Sequence, residues 1–135
     1  MAGVVNIRAA LETALNGMSP SIATSFENAA FILPTYPAPY QIVNILFARP
    51  DNREYGARHE ERGYMQVKLM YRLQVGTADI AARAELLRST FKRGNTFTSG
   101  GVTVMITETP SVGAGVVEGD RYAVAVKIPF HSNIG

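Results

Sequence analysis

The segment Gly63–Val75 most constrains what this chain can fold into, because its side chains alternate from residue 65 onward without interruption. One set is Met65, Val67, Leu69, Tyr71, Leu73 and Val75, and the other is Gln66, Lys68, Met70, Arg72 and Gln74. Successive side chains of a β-strand leave opposite faces, so the pattern predicts a long strand with one buried face. A helix would scatter the same apolar residues around its whole circumference.

Two other segments show the period of amphipathic helices. Val4–Gly17 places its apolar residues in one stripe, and Ser19-Pro20 predicts that the helix stops there. A second helix is predicted from Gly76-Thr77 to Gly94, with Thr77 at its N-cap and cationic residues in its last turns. Its narrow apolar stripe is Ile80, Ala84, Leu87 and Phe91, and Leu86 lies off that stripe.

The remaining strands are shorter. They are predicted as a weak strand within Ser21–Phe31, a strand at Tyr40–Arg49 that is apolar on both faces, and strands at Val102–Thr109 and Arg121–Phe130. The proline-rich segment 33–39 and the glycine-rich segment 110–120 are predicted as irregular connections. Hairpin-linked strands with two helices predict an α+β fold: a single antiparallel sheet of four to five strands with two helices packed on one face.

Composition narrows the class of protein. The chain has 135 residues, a formal charge of +2 and no cysteine. We expect residues 1–135 to form one domain without disulfides, thiol nucleophiles or thiolate zinc sites. The N-terminal sequence lacks the charged start and apolar run of a signal peptide, and no apolar run approaches the roughly twenty residues of a membrane helix.

Few residues are suited to catalysis. His59 and His131 lie far apart in sequence, without a second histidine or a carboxylate at metal-ligand spacing, so both are interpreted as ordinary surface histidines. Neighbouring residues such as Glu60 and Glu61 usually point apart, which favours solvated charges over a paired acid. The segment 113–118 imitates a phosphate-binding loop for three residues, but glutamate stands where the third glycine belongs. We therefore predict no catalytic, cofactor or metal site.

The second helix carries four basic side chains that could form a nucleic-acid surface. They are Arg83, Arg88, Lys92 and Arg93. They scatter over more than half of the helical circumference, and no aromatic residues interleave with them. We predict no specific binding of nucleic acid and no binding to membranes.

The order of short motifs along nearly the whole chain resembles a phage tail terminator-like family of small minor tail or tail-completion proteins. The motifs are Phe26-Glu27-Asn28-Ala-Ala-Phe31, Pro39-Tyr40, Val43-Asn-Ile-Leu46, Arg62-Gly63-Tyr-Met-Gln66-Val67, Phe91-Lys-Arg-Gly94, the Val102 strand, Pro110-Ser111 and the closing Tyr122 to Phe130. Phe26 departs from the family, in which tryptophan is more frequent there.

The resemblance implies a structural virion protein without cofactors that assembles on the end of a long phage tail tube. Its expected partners are further copies of itself in a hexameric ring, the tail tube protein, and a head or neck completion protein. Genome DNA would pass through the ring. The expected location is the head-proximal end of the tail, after assembly in the host cytoplasm. The alternatives are another neck or tail-tube component, or a small ligand-binding or catalytic domain with a pocket beside His59 or Glu60-Glu61.

The candidate assembly interface combines one charge cluster with apolar residues on faces predicted to be exposed. We expect the charged loop from Asp51 to Arg62, between two strands, to become ordered at a contact with a neighbouring copy or the tube, because its mixed signs suit complementary charges. The candidate residues are Asp51, Arg53, Glu54, Arg58, Glu60, Glu61, Arg62, Met70 and Leu86.

Overall fold

The computed structural model describes residues 3–50 and 59–134, which contain two helices and eight strands. The helices are α1 (Gly3–Asn16) and α2 (Ala78–Thr90). The strands are β1 (Ala23–Ser25), β2 (Tyr40–Phe47), β3 (His59–Arg72), β4 (Thr96–Ser99), β5 (Val102–Ile106), β6 (Ser111–Val112), β7 (Val116–Glu118) and β8 (Arg121–Ile134).

All eight strands belong to one sheet, in the order β1-β2-β3-β8-β5-β4, with β6 and β7 also paired to β8. The β1–β2 pair is parallel and the other pairs are antiparallel. Over its whole length β8 pairs with β3, and its other side pairs in turn with β7, β6 and β5. The resulting sheet is mixed and curls into a half-barrel.

The predicted architecture, a single antiparallel sheet of four to five strands with two helices packed on one face, is therefore wrong. Strands of two to four residues, such as β1, β4, β6 and β7, are too short to show a period-two pattern. The glycine-rich segment 110–120, predicted as an irregular connection, contributes β6 and β7 to the edge of the sheet. The parallel β1–β2 pair has no local sequence signal, because it depends on how the chain returns through residues 26–39.

The long strand that dominates the sequence is confirmed, with shifted ends. Met65, Val67 and Leu69 are fully buried on the inner face of β3. The strand begins at His59 and ends at Arg72, so Val75 lies beyond it and is exposed. Because β3 is flanked by β2 and β8 along its length, it forms the centre of the sheet.

Gly63 lies on β3 between β2 and β8. A Cβ atom on Gly63 would lie 2.0 Å from the carbonyl oxygen of Leu46, so only glycine fits without moving the backbone. Its neighbours in register are Phe47 and Phe130, whose rings contact each other edge to face at 5.8 Å. The glycine thus permits close strand packing, and the two rings fill the space beside it.

Both predicted helices are confirmed, and their apolar sides join one core with the inner face of the sheet. The first packs against β4 and β5, and the second contacts β8. The buried helical residues are Ile7, Ala10, Leu11 and Leu15 from α1 and Ile80, Ala84 and Leu87 from α2, with Phe91 directly after it.

Candidate assembly surface

The predicted interface residues divide into two groups. Asp51, Arg53, Glu54 and Arg58 lie outside the described residues. Glu60, Glu61 and Arg62 lie at the start of β3, Met70 lies near its end, and Leu86 lies on α2. The described candidates therefore do not form one continuous patch, and each position has its own surroundings.

Each of the two neighbouring carboxylates contacts a histidine. Glu61 is 8% exposed, and its Oε1 atom lies 3.0 Å from His59 Nε2. Glu60 Oε1 lies 3.7 Å from His131 Nδ1 on the neighbouring strand β8. The prediction that the two carboxylates point apart is confirmed, because consecutive strand residues face opposite sides of the sheet.

The His59–Glu61 contact could have been predicted from the sequence, whereas the Glu60–His131 contact could not. His59 and Glu61 are two residues apart on one strand, so period-two reasoning could have placed them on one face. The contact of Glu60 with His131 depends on the register of β3 against β8, which pairs Arg62 with His131. No local sequence feature specifies that register.

An open groove of about 570 Å³ lies where β3 and β8 meet the connection between β5 and β6. Its lining residues are Ala48, Glu60, Arg62, Gly63, Tyr64, Thr107, Glu108, Ser111, Lys127, Pro129, Phe130 and His131. On the side of β8 that faces away from β3, strand pairing is interrupted here, since β5 ends at Ile106 and β6 begins at Ser111. Pro129 also has no amide hydrogen to donate at this point.

The groove carries charges of both signs. Lys127 Nζ lies 5.0 Å from the ring centre of Tyr64, a cation–π contact that holds the ammonium group at the wall. The side chains of Arg62 and Glu108 form no hydrogen bond or ion pair with any residue in the described ranges 3–50 and 59–134. They therefore offer an uncommitted guanidinium group and an uncommitted carboxylate to a protein partner with complementary charges.

Met70 does not offer a free apolar surface. It is 5% exposed, so the expectation that its face of β3 is open to solvent at this point is wrong. Its partners in register are Tyr40 and Ala123. At the same end of the sheet, the Arg121 guanidinium lies 5.0 Å from the ring centres of both Tyr36 and Tyr40. The proline-rich segment thus returns over the sheet and helps to cover this side of β3.

Leu86 is also less accessible than its position off the helical stripe suggested. It is half-buried and packs against the core beside the fully buried stripe. The core therefore extends further around α2 than its four stripe residues indicated.

The basic residues of α2 do not act together. Arg83 is buried and donates a hydrogen bond to the carbonyl oxygen of Pro20, and burial lowers the pKa of its guanidinium group. Arg88 Nε donates to the carbonyl oxygen of Pro110 at 2.9 Å. Lys92 and Arg93 are exposed beyond the end of the helix. Two of the four cations are thus committed to contacts within the chain.

Among the described residues, no three histidine, aspartate or glutamate side chains are grouped as a metal site would require. Neither described helix has the length and apolar character needed to cross a membrane.

A curled sheet that shares one core with two helices and carries a groove with charges of both signs presents a surface suited to protein contacts. The family model described as phage tail terminator protein matches residues 6–130, and the chain belongs to this family. It is therefore a structural component of the phage tail and of the virion. The resemblance seen in the order of its motifs is confirmed.

Solved structures show the same fold. One of them superposes on this chain with a TM-score of 0.78. It is 21% identical, and the match covers 96% of this chain and 94% of the other. A search of curated proteins gives no significant match.

Proposed function

We propose that this chain caps the phage tail tube. Copies of residues 1–135, each a single domain, form a homo-oligomeric ring, expected to be a hexamer, on the head-proximal end of the tube. The ring stops polymerisation of the tail tube protein and presents the joining surface for a head or neck completion protein. Genome DNA passes through the ring, and assembly takes place in the host cytoplasm.

The observation that carries this proposal is the charged groove on the central strands. Arg62 lies on β3, which has a strand partner on each side, so its backbone is held in place before any partner binds. Its guanidinium group and the Glu108 carboxylate have no partner among the described residues. The backbone of Arg62 therefore needs no reordering on binding, and the two unpaired charged groups favour a partner of complementary charge.

Tube polymerisation with purified tail tube protein tests the proposal. Substoichiometric amounts of this protein should shorten the tubes in electron micrographs, and gold-labelled protein should lie at one tube end. Native mass measurement should show a ring-sized species. Labelling along the tube walls would instead support a neck or tube component.

A matched pair of variants tests the groove. Arg62→Glu should reduce tube capping by at least tenfold without loss of folding. Arg72→Glu is the control, because Arg72 is another exposed arginine of β3 at the opposite end of the strand, outside the groove. Equal loss of capping in both variants, or in neither, would contradict a specific role for the groove.

A further inference from the structure

One row of residues crosses the sheet from edge to edge. Ala23, Tyr40, Met70, Ala123 and Val116 are successive partners in register on β1, β2, β3, β8 and β7. The row ends at β1 on one side and at β7 on the other, and each of these strands pairs with one neighbour. The same chain thus presents two different sheet edges at the two ends of one continuous row.

The β7 edge has the properties of a strand-pairing site. Residues 111–120 are all exposed, and Val116 and Val117 are 56% and 63% exposed. The one charged residue of β7, Glu118, is held by Lys68 Nζ at 2.5 and 2.6 Å. Exposed edges in proteins usually carry charges or prolines that prevent pairing with another chain. Here the edge is apolar and its one charge is neutralised.

The β1 edge is likewise uncharged, and it is short. Its three residues are alanine, threonine and serine, and they pair with β2 on one side. Beyond β1, the side chains of Arg8 and Glu27 bond to the backbone of Ile45 on β2. On this side of the sheet, the backbone amide and carbonyl groups available to a strand from another copy are therefore those of β1.

We propose that copies of this chain join head to tail through these edges, with β7 of one copy pairing with β1 of the next. The proposal rests on the ring proposed above and names the interface that builds it. A head-to-tail contact needs two different complementary surfaces on one chain. The two edges meet this requirement, because neither carries an uncompensated charge and each supplies unpaired amide and carbonyl groups.

Because the sheet is curled, copies joined through these edges are rotated relative to one another and do not form a straight row. Strands of a curled sheet are rotated relative to one another, so the β7 edge faces a different direction from the β1 edge. Each copy added through these edges is rotated by the same angle. Repeating a fixed rotation closes a ring if the angle divides a full turn.

Disulfide trapping tests this interface directly, because the chain has no cysteine of its own. Val116 lies on the same face of the sheet as Glu118 and Lys68. The Thr24 hydroxyl accepts a hydrogen bond from the buried Gln41, so Thr24 points to the inner face of the sheet. Ala23 and Ser25 therefore point to the outer face, because neighbouring strand residues alternate. Val116 lies on this outer face as well. Paired strands place Cα atoms about 4.5–5.5 Å apart, within the range of a disulfide.

Two double variants, A23C/V116C and S25C/V116C, are oxidised after assembly, with and without tail tubes. At least one should give a covalent ladder on a denaturing gel that reaches the size of the ring. Each single variant should give dimers at most. The control A23C/M105C pairs the same edge with Met105, an exposed residue on β5 away from β7, and should give no ladder.

Native mass measurement of the same samples separates failure of this inference from failure of the proposed function. A ring without a ladder in either double variant overturns the edge interface and leaves the capping proposal standing. A ladder of equal strength in the control overturns it as well. A chain that forms no ring, even on tail tubes, overturns both proposals.

A charge variant provides a second measurement if the cysteine variants fold poorly. Val116→Lys places a charge on the β7 edge and should lower the ring fraction at least tenfold, while Val75→Lys, at an exposed valine beyond β3, should not. Equal ring fractions in the two lysine variants would overturn the edge interface.

Discussion

The carboxylate of Glu27 accepts a hydrogen bond from the backbone amide of Ile45 over 2.5 Å. Arg8 donates to the same carboxylate at 3.1 Å and to the carbonyl oxygen of Ile45 at 3.4 Å. The two side chains thereby satisfy the backbone groups of β2 at a position that β1 is too short to reach. They replace a strand partner at this edge and connect α1 to the sheet.

Replacing Glu27 tests this edge. Glu27→Gln should lower the free energy of unfolding at neutral pH by about 1–2 kcal/mol, because a charged hydrogen bond becomes a neutral one. The amide of Ile45, followed by Arg8, holds the pKa of Glu27 below its ordinary value of 4.5. A carboxylate with a lowered pKa stabilises the fold above pH 4.5 and loses that effect as pH falls through the folded-state pKa. Urea denaturation should show wild type and variant converging in acid.

Glu12 supplies a control of opposite sign. Burial raises the pKa of Glu12, with Arg8 opposing this and Glu27 adding to it. A carboxyl with a raised pKa binds its proton more tightly in the folded state, so its contribution to stability falls as pH rises above 4.5. Glu12→Gln should therefore cost no stability at neutral pH. Equal losses in both variants would contradict the assigned role of Glu27.

Gly63 should tolerate no side chain. Gly63→Ala should destabilise the fold by about 2–4 kcal/mol, because the new Cβ would meet the backbone of Leu46 and the central strands would have to separate. Thermal or denaturant unfolding measures this loss. Gly17→Ala is the control, since its Cβ would meet its nearest neighbour at 3.4 Å. A loss at Gly63 no greater than that at Gly17 would show that the strands adapt without strain.

Arg121 should hold the proline-rich segment against the sheet. It is 4% exposed and donates to the carbonyl oxygen of Ala38 at 2.6 Å, and its guanidinium group lies 5.0 Å from the centres of two tyrosine rings. Arg121→Ala should cost about 2–4 kcal/mol, and Arg121→Lys should recover part of it, because lysine keeps the charge but not the planar group. Amide exchange in residues 30–40 should rise in both variants. It should stay unchanged in Arg72→Ala, the exposed cross-strand partner.

The ion pair of Lys68 with Glu118 should contribute little to stability. Both side chains are partly exposed, so a double-mutant cycle with alanine should give a coupling of about 0.2–1 kcal/mol that decreases in high salt. The charge-swapped variant Lys68→Glu/Glu118→Lys should fold like the wild type. A coupling well above this range would show that the pair fixes the β7 edge more firmly than its exposure suggests.

The sequence predicted those elements whose signal is local and long. The alternation through Met65, Val67 and Leu69 identified the central strand, since a one-residue slip would turn every apolar side chain outward. The apolar stripes identified both helices in the same way. The end of β3 was misplaced because the alternation continues to Val75, where the strand has already lost its partners.

The candidate surface depended on contacts between distant segments. The sequence indicated Glu60 and Arg62 as interface residues, but Lys127, Glu108 and His131 join them only through the register of β8 and the connection between β5 and β6. Met70 is the opposite case. The alternating pattern of β3 indicated that Met70 lies on an exposed face, but the returning proline-rich segment helps to cover that face.

By itself, the sequence determined the helices, the central strand, the family and the absence of cysteine chemistry. Tertiary structure decided the number of strands, the parallel pair at one edge, the curl of the sheet and the groove on its surface. The physical reason is that periodicity encodes which face of one element is buried. The pairing of short strands, and the closeness of Gly63 to Leu46, depend on backbone contacts between segments that no local pattern records.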